Sequence, residues 1–335
     1  MNLVGQDYND PLSLEDVARL ASGLPSLARL LLDSGKFQGG AHGAWLGLAS
    51  ATGITELEII DCRFGRDGDG DGDVGFLEAL LPALPLAGLT VLEAPFGDGD
   101  LAAIGRHLPH RLRSLQFRYF RGQTPVTCAG LAELAACSAL TRLDFSDFEI
   151  VSSWPRTARA TLAEIAAAAP LRELGIGGLS GELDLAAFRQ LTALELERPS
   201  RAVLAALPAL RGSPLVRLSL KYVELTDTDL SLLEALSQLT ALEVEAYGIG
   251  SDAGLRALTV ALTGLRELKL TLLDEENITD AGLEALCALP RLRRLELRLG
   301  AAPAITAAGV ARVEALPSLL RFRRGSYHNV RIDHV

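Results

Sequence analysis

The pattern Leu-x-x-Leu-x-Leu recurs along the chain about twelve times, and no other feature limits the possible folds as tightly. In residues 265–290, LRELKLTLLDEENITDAGLEALCALP, the residues Leu265, Leu268 and Leu270 alternate as on a strand. Leu283, Leu286 and Cys287 then follow at helical spacing, so each copy is one strand-turn-helix unit. Such a unit cannot bury its apolar face alone and must stack on its neighbours. A stack grows by addition, so residues 1–335 are expected to form one continuous domain without a second core.

The first leucine-type position of each copy is read at Leu27, Ile54, Leu89, Leu112, Leu140, Leu171, Leu191, Leu215, Leu239, Leu265, Leu292 and Leu319. The intervals are 27, 35, 23, 28, 31, 20, 24, 24, 26, 27 and 27 residues, a period of about 26 with two long exceptions and one short. Side chains alternate along a strand, so the first, fourth and sixth positions face the core under the helix. Thr279-Asp280, Ser251-Asp252, Thr226-Asp227 and Thr127 mark helix starts, where a side-chain oxygen accepts from free backbone N–H groups. Pro25, Pro85, Pro109, Pro170, Pro290 and Pro317 mark the stops before the next strand. Residues 1–26 are expected to be an N-terminal cap built on a helix with Leu14, Val17 and Leu20 on one face, residues 27–325 the repeats, and residues 326–335 a polar cap or tail.

The strand leucines followed by Asn277-Ile278-Thr279-Asp280-Ala281-Gly282-Leu283 resemble the leucine-rich repeats of the ribonuclease-inhibitor-like and cysteine-containing subfamilies, over nearly the whole chain. The resemblance implies an α/β right-handed solenoid, a horseshoe with a parallel sheet on its concave face and helices on its convex face. It also implies a binding scaffold rather than any one partner. The family pattern places Asn or Cys at the ninth repeat position, where the side chain bonds neighbouring turns. Here that position is Cys62 once, and elsewhere Phe120, Phe148, Val223, Tyr247 or Leu273, so packing is expected to hold the turns instead.

Charge and cysteines narrow the partners. With 42 acidic against 32 basic residues the net charge is −10, which opposes general attraction to nucleic acid or anionic membranes. No stretch of about 18 residues is free of charges and turn residues, as a membrane span would require. Cys62, Cys128, Cys137 and Cys287 have no metal-type spacing, and the opening MNLVGQDYNDP lacks the basic and apolar regions of a secretory signal. A reducing cytoplasm and a monomer are the expectation.

The interval after Ile54 contains Asp67-Gly-Asp69-Gly-Asp71-Gly72-Asp73-Val74-Gly75-Phe76-Leu77-Glu78, which matches the EF-hand loop at every specified place. Asp67, Asp69, Asp71, Asp73 and a bidentate Glu78 would supply hard oxygen ligands to Ca2+, and Gly72 the sharp turn. Against this, Leu77-Glu78-Ala79-Leu80 recurs as Leu233-Glu234-Ala235-Leu236, so Glu78 is also explained as an ordinary helix residue. The rest is an acidic, glycine-rich insertion of roughly eight residues, a composition that also suits a solvated loop.

His42, His107, His110, His328 and His334 form no nucleophile arrangement in the sequence, and no P-loop or GxSxG occurs. Gly175-Ile176-Gly177-Gly178 lies in a repeat strand and reads as packing or an open patch. No catalysis is expected. On the concave face the fifth strand positions run Glu195, Ser219, Glu243, Lys269, Glu296 and Arg323, and the seventh Glu197, Lys221, Glu245, Thr271 and Arg298. Opposite charges about 4.8 Å apart can pair laterally, or meet a partner of complementary charge. Arg118, Tyr119, Arg121 and Arg142 form one candidate binding cluster, with Arg217, Lys221, Tyr222, Glu243 and Glu245 on later strands. Trp154, in a loop extension, is either a core cover or an exposed anchor. The expectation is a protein-protein interaction scaffold of unknown partner, with a calcium-stabilised interaction module as the alternative.

Overall fold

The computed structural model describes residues 2–4, 19, 23–24, 26–33, 36–38, 53–65, 76–94, 96–118, 126–146, 157–178, 182–272, 277–299, 304–315 and 321–326. The chain gathers into two compact units, Met1–Ser180 and Gly181–Val335. In the first, strands β1 (Asn2–Val4), β2 (Arg29–Asp33), β4 (Glu56–Ile60), β6 (Gly88–Leu92), β7 (Ser114–Arg118), β8 (Arg142–Phe145) and β9 (Glu173–Gly177) pair in parallel in that order. Two short strands, β3 (Lys36–Gln38) and β5 (Arg63–Gly65), pair separately. The helices are α1 (Phe76–Leu80), α2 (Asp98–His107), α3 (Cys128–Ala132) and α4 (Thr157–Ala168).

The second unit repeats the plan. Its parallel strands are β10 (Ala193–Glu197), β11 (Arg217–Leu225), β12 (Ala241–Ile249), β13 (Glu267–Leu272), β14 (Arg294–Leu299) and β15 (Arg321–Ser326). Its helices are α5 (Arg201–Ala206), α6 (Asp227–Leu233), α7 (Asp252–Ala261), α8 (Asp280–Leu286) and α9 (Ala307–Glu314). This is the α/β leucine-rich-repeat solenoid fold. The first, fourth and sixth positions are core, as in Leu239, Leu242 and Val244 or Leu265, Leu268 and Leu270, none more than 2% exposed.

The register corrects one reading of the sequence. Leu57 pairs with Leu89 and Leu89 with Leu115, so Leu89 is a fourth position and the first is Leu86, directly after Pro85. Val91 takes the sixth position and is buried, whereas Leu92 lies half-buried beyond it. Ile54 and Leu86 are then 32 residues apart and Leu86 and Leu112 26, so the insertion around residues 66–75 exceeds the common period by six residues, not eight. Asn2–Val4 pairs with Leu31–Asp33 and supplies the partner groups that the edge of β2 would otherwise lack. Leu14, Val17 and Leu20 lie outside the described residues, as do residues 327–335.

Neighbouring repeats are tied at three levels. At the second position one carbonyl accepts two N–H groups from the next repeat, as Val216 O does from Thr240 and Ala241. At the eighth, Asp61 and Arg198 take left-handed backbone (φ 46° each), which turns their N–H groups onto Leu92 O and Lys221 O of the next repeat. The third tie is at the helix starts. Asp252, the first residue of α7, accepts from both the backbone N–H (2.9 Å) and the hydroxyl (2.6 Å) of Thr279, which itself caps α8. Asp98 does the same for Thr127, Asp227 for Ser251 and Asp280 for Thr306.

Side-chain hydrogen bonding between repeats is therefore present, at the helix starts, and packing alone does not fix the stack. At the ninth position the buried Cys62 Sγ lies 3.5 Å from Leu32 O of the preceding repeat. In the first unit the rings of Phe96, Phe117 and Phe145 stack with centroids 5.0 and 5.5 Å apart, adding an aromatic core across three repeats.

Candidate interaction surface

The solvent-facing positions of β10 to β13 carry charges in fixed pairs. Register places Glu195, Ser219, Glu243 and Lys269 in one row and Glu197, Lys221, Glu245 and Thr271 in the next. Lys269 Nζ lies 2.5 Å from Glu243 Oε1, directly across the ladder. Lys221 Nζ reaches diagonally to Glu195 Oε1 at 2.8 Å. Arg294 pairs with Glu267 at 3.0 Å, and Arg298 with Glu296 on its own strand at 2.8 Å. Lateral pairing of alternating charges, expected from the strand positions, is what the sheet does.

Beyond these rows, β11 and β12 run nine residues each and remain paired as far as Leu225 and Ile249. Tyr222, with φ 51°, is a bulge residue that skips the ladder, and Tyr247 skips it on the neighbouring strand. Arg198, after β10, holds its guanidinium 5.3 Å from the centre of the Tyr222 ring and 3.6 Å from Glu197. Tyr247 is half exposed. Arg198 was not among the residues singled out from the sequence; its contact requires the left-handed turn that brings it beside the next strand.

The other expected residues are distributed as follows. Arg217 is exposed at the start of β11, and Glu245 is half-buried with no ion pair among the described residues. In the first unit Arg142 opens β8 and bridges Asp144 (3.6 Å) and Glu173 (3.4 Å). Asp144 is nearly buried and accepts from the Ser146 hydroxyl at 2.9 Å. Gly175 leaves the space it needs, since a Cβ there would sit 2.4 Å from its Oδ1. Arg118 ends β7, while Tyr119, Arg121 and Trp154 lie outside the described residues. Arg118 and Arg142 belong to one unit and the β10 to β13 residues to the other.

For the calcium reading, Asp67, Asp69, Asp71 and Asp73 lie outside the described residues. Glu78 is exposed near the start of α1, with Arg106 Nη1 at 2.6 Å and His107 Nε2 at 3.3 Å, both on α2. The hydrogen bond to His107, against a small burial effect and with help from Arg106, holds the Glu78 carboxyl below its usual range. Among the described residues no group of three His, Cys, Asp or Glu could hold a metal. Folding does bring one histidine to a hydroxyl, His110 Nδ1 to Ser138 Oγ at 3.0 Å, on an exposed turn.

No family model matches the chain. No curated protein matches it. Among solved structures it is similar to an internalin (inlF) from Listeria monocytogenes str. 4b F2365, at 20% identity over 84% of this chain and 76% of that one, with a TM-score of 0.47. It is also similar to an internalin C2 (inlC2) from the same strain, at 17% identity over 74% of this chain and 83% of that one, with a TM-score of 0.40. At such identities the assignment of the repeat fold stands on the register, core and capping of the chain itself.

Proposed function

We propose that the chain is a non-catalytic scaffold that binds a partner protein through its strand face and the adjoining turns. The observation that carries this reading is the solvent face of β10 to β13, where Lys221–Glu195 and Lys269–Glu243 fix a polar pattern on rigid strands. Charges held in place by the scaffold cost little to order on binding and select partners by complementarity.

The test combines Arg118→Ala, Tyr119→Ala, Lys221→Ala and Glu243→Ala in one chain and measures affinity for a partner recovered by the wild type. We expect at least a tenfold loss, about 1.4 kcal/mol, with circular dichroism unchanged. Unchanged affinity would sink the proposal.

The ribonuclease-inhibitor-like subfamily and a cytoplasmic setting are part of the same reading. The first is supported by the period of about 26 residues, the second by four free cysteines. Burial pushes the Cys137 thiol up to about 11, so it stays protonated and unreactive. Among the described residues no helix is long and apolar enough to cross a membrane. The second reading is a calcium-stabilised module, favoured by a complete loop pattern that runs into α1 with Glu78 ionised and accessible.

A further inference from the structure

We infer that the tyrosine pair on β11 and β12 is the docking point for a basic segment of the partner protein, with an arginine lying on Tyr247 and its guanidinium against Glu245. This rests on the scaffold reading and names the partner's chemistry. The ladder between the two strands supplies the geometry. Lys221 pairs with Glu245, Tyr222 is skipped, Val223 pairs with Ala246, Tyr247 is skipped, and Glu224 pairs with Gly248. Two register shifts on adjacent strands thus release Tyr222 and Tyr247 on either side of the Val223–Ala246 row, between the row that holds Glu245 and the row that holds Glu224.

The first ring already works as a cation platform, because Arg198 lies over Tyr222. The second is 50% exposed and has no ring or cation contact among the described residues. The carboxylates divide in the same way. Glu195 is answered by Lys221, Glu243 by Lys269 and Glu197 by Arg198. Glu245 faces buried, uncharged Thr271 on one side, and on the other Lys221, whose ammonium is turned to Glu195.

An exposed aromatic ring two residues along β12 from a carboxylate with no ion pair among the described residues, with exposed Glu224 two rows beyond, attracts a cation and repels an acidic segment. Arginine fits better than lysine, because its planar guanidinium stacks on a ring and forks onto a carboxylate at once. The same carboxylates disfavour a phosphate backbone.

The test uses the full chain and three dye-labelled peptides of equal length, an Arg/Gly, a Lys/Gly and a Glu/Gly repeat, followed by fluorescence anisotropy. The Arg/Gly peptide should bind tightest and the Glu/Gly peptide not at all. Tyr247→Ala and Glu245→Gln should each weaken the Arg/Gly peptide at least fivefold. Glu314→Gln, which removes the same charge from the exposed end of α9, should not. No binding of the Arg/Gly peptide to the wild type, binding indifferent to Tyr247→Ala and Glu245→Gln, or an equal loss in Glu314→Gln would each overturn the assignment. A partner lost on Lys221→Ala with Glu243→Ala but kept by Tyr247→Ala and Glu245→Gln overturns this inference and leaves the scaffold reading in place. Retention by the double variant and by both single variants overturns both.

Discussion

At Gly282 local propensity and the neighbouring repeat pull in opposite directions. Alanine is worth about 1 kcal/mol more than glycine in a helix, so Gly282→Ala would stabilise α8 if the helix stood alone. In the stack, a Cβ at Gly282 would lie 2.4 Å from Asp252 Oδ1 and 3.0 Å from Ile278 Cγ2. Asp252 would have to leave the Thr279 N–H and hydroxyl, losing hydrogen bonds to a charged acceptor worth about 1.5–3 kcal/mol each. We therefore expect Gly282→Ala to destabilise by about 1–3 kcal/mol in urea unfolding. Adding it to Asp252→Ala should cost much less than the sum of the two, because the second change finds the clash already removed. A stabilised single variant would show that the tie carries no energy. The cap itself was legible, since Thr279-Asp280 announces a helix start. Asp252 as its clamp was not, because those residues are 27 apart in sequence and meet only through the stacking register. The same holds for Arg198 over Tyr222, where a left-handed turn rather than any local pattern makes the contact.

Among the elements, strands were easier to place than their register. A period of two identifies inward positions, but in Leu86-Ala-Gly-Leu89-Thr-Val91-Leu92 two overlapping leucine frames compete. The frame beginning at Leu86 buries Val91 and leaves Leu92 toward solvent, and it follows a proline stop as the repeats at Leu27, Leu112, Leu171 and Leu292 do. Helix starts show a comparable substitution of parts. Where the preceding helix begins with Arg201 instead of Asp, the third helical residue is Asp229 instead of Gly, and the two pair at 2.9 Å. Partial burial raises the Asp229 pKa, but hydrogen bonds from Thr226 and the nearby Arg201 outweigh it, and the carboxyl is held below its usual range. A depressed folded pKa gives stability that is present above the unfolded value, about 3.9, and is lost as pH falls through the folded one. Asp229→Asn should thus cost about 1 kcal/mol at pH 7 and progressively less below pH 4 or so. Melting curves of wild type and variant should converge toward pH 3, and a constant gap would assign the effect to shape rather than charge.

Across the whole molecule, stability in a repeat stack is a sum of repeat terms and nearest-neighbour terms, so an event in one repeat is felt first by the next. This gives the calcium reading a spatial signature. Helix α1, which leaves the 67–78 loop, is tied to α2 by Asp100, whose buried carboxylate accepts from the N–H groups of Leu77 (3.3 Å) and Gly97 (3.0 Å). Glu78 adds a second tie through Arg106 and His107. As the twelfth loop residue Glu78 would have to exchange these partners for the metal, an exposed pair worth at most about 1 kcal/mol against a metal bond. On that reading, saturating Ca2+ added to chelator-stripped protein slows amide exchange in residues 76–80 and then 98–107, and leaves 227–261 unchanged. Asp69→Asn with Asp71→Asn removes the effect, whereas Arg106→Ala, which removes one of the two partners of Glu78, tightens binding. Exchange in 76–107 that is indifferent to Ca2+ would reduce the insertion to a solvated acidic loop, with Glu78 acting only as a bridge between neighbouring helices.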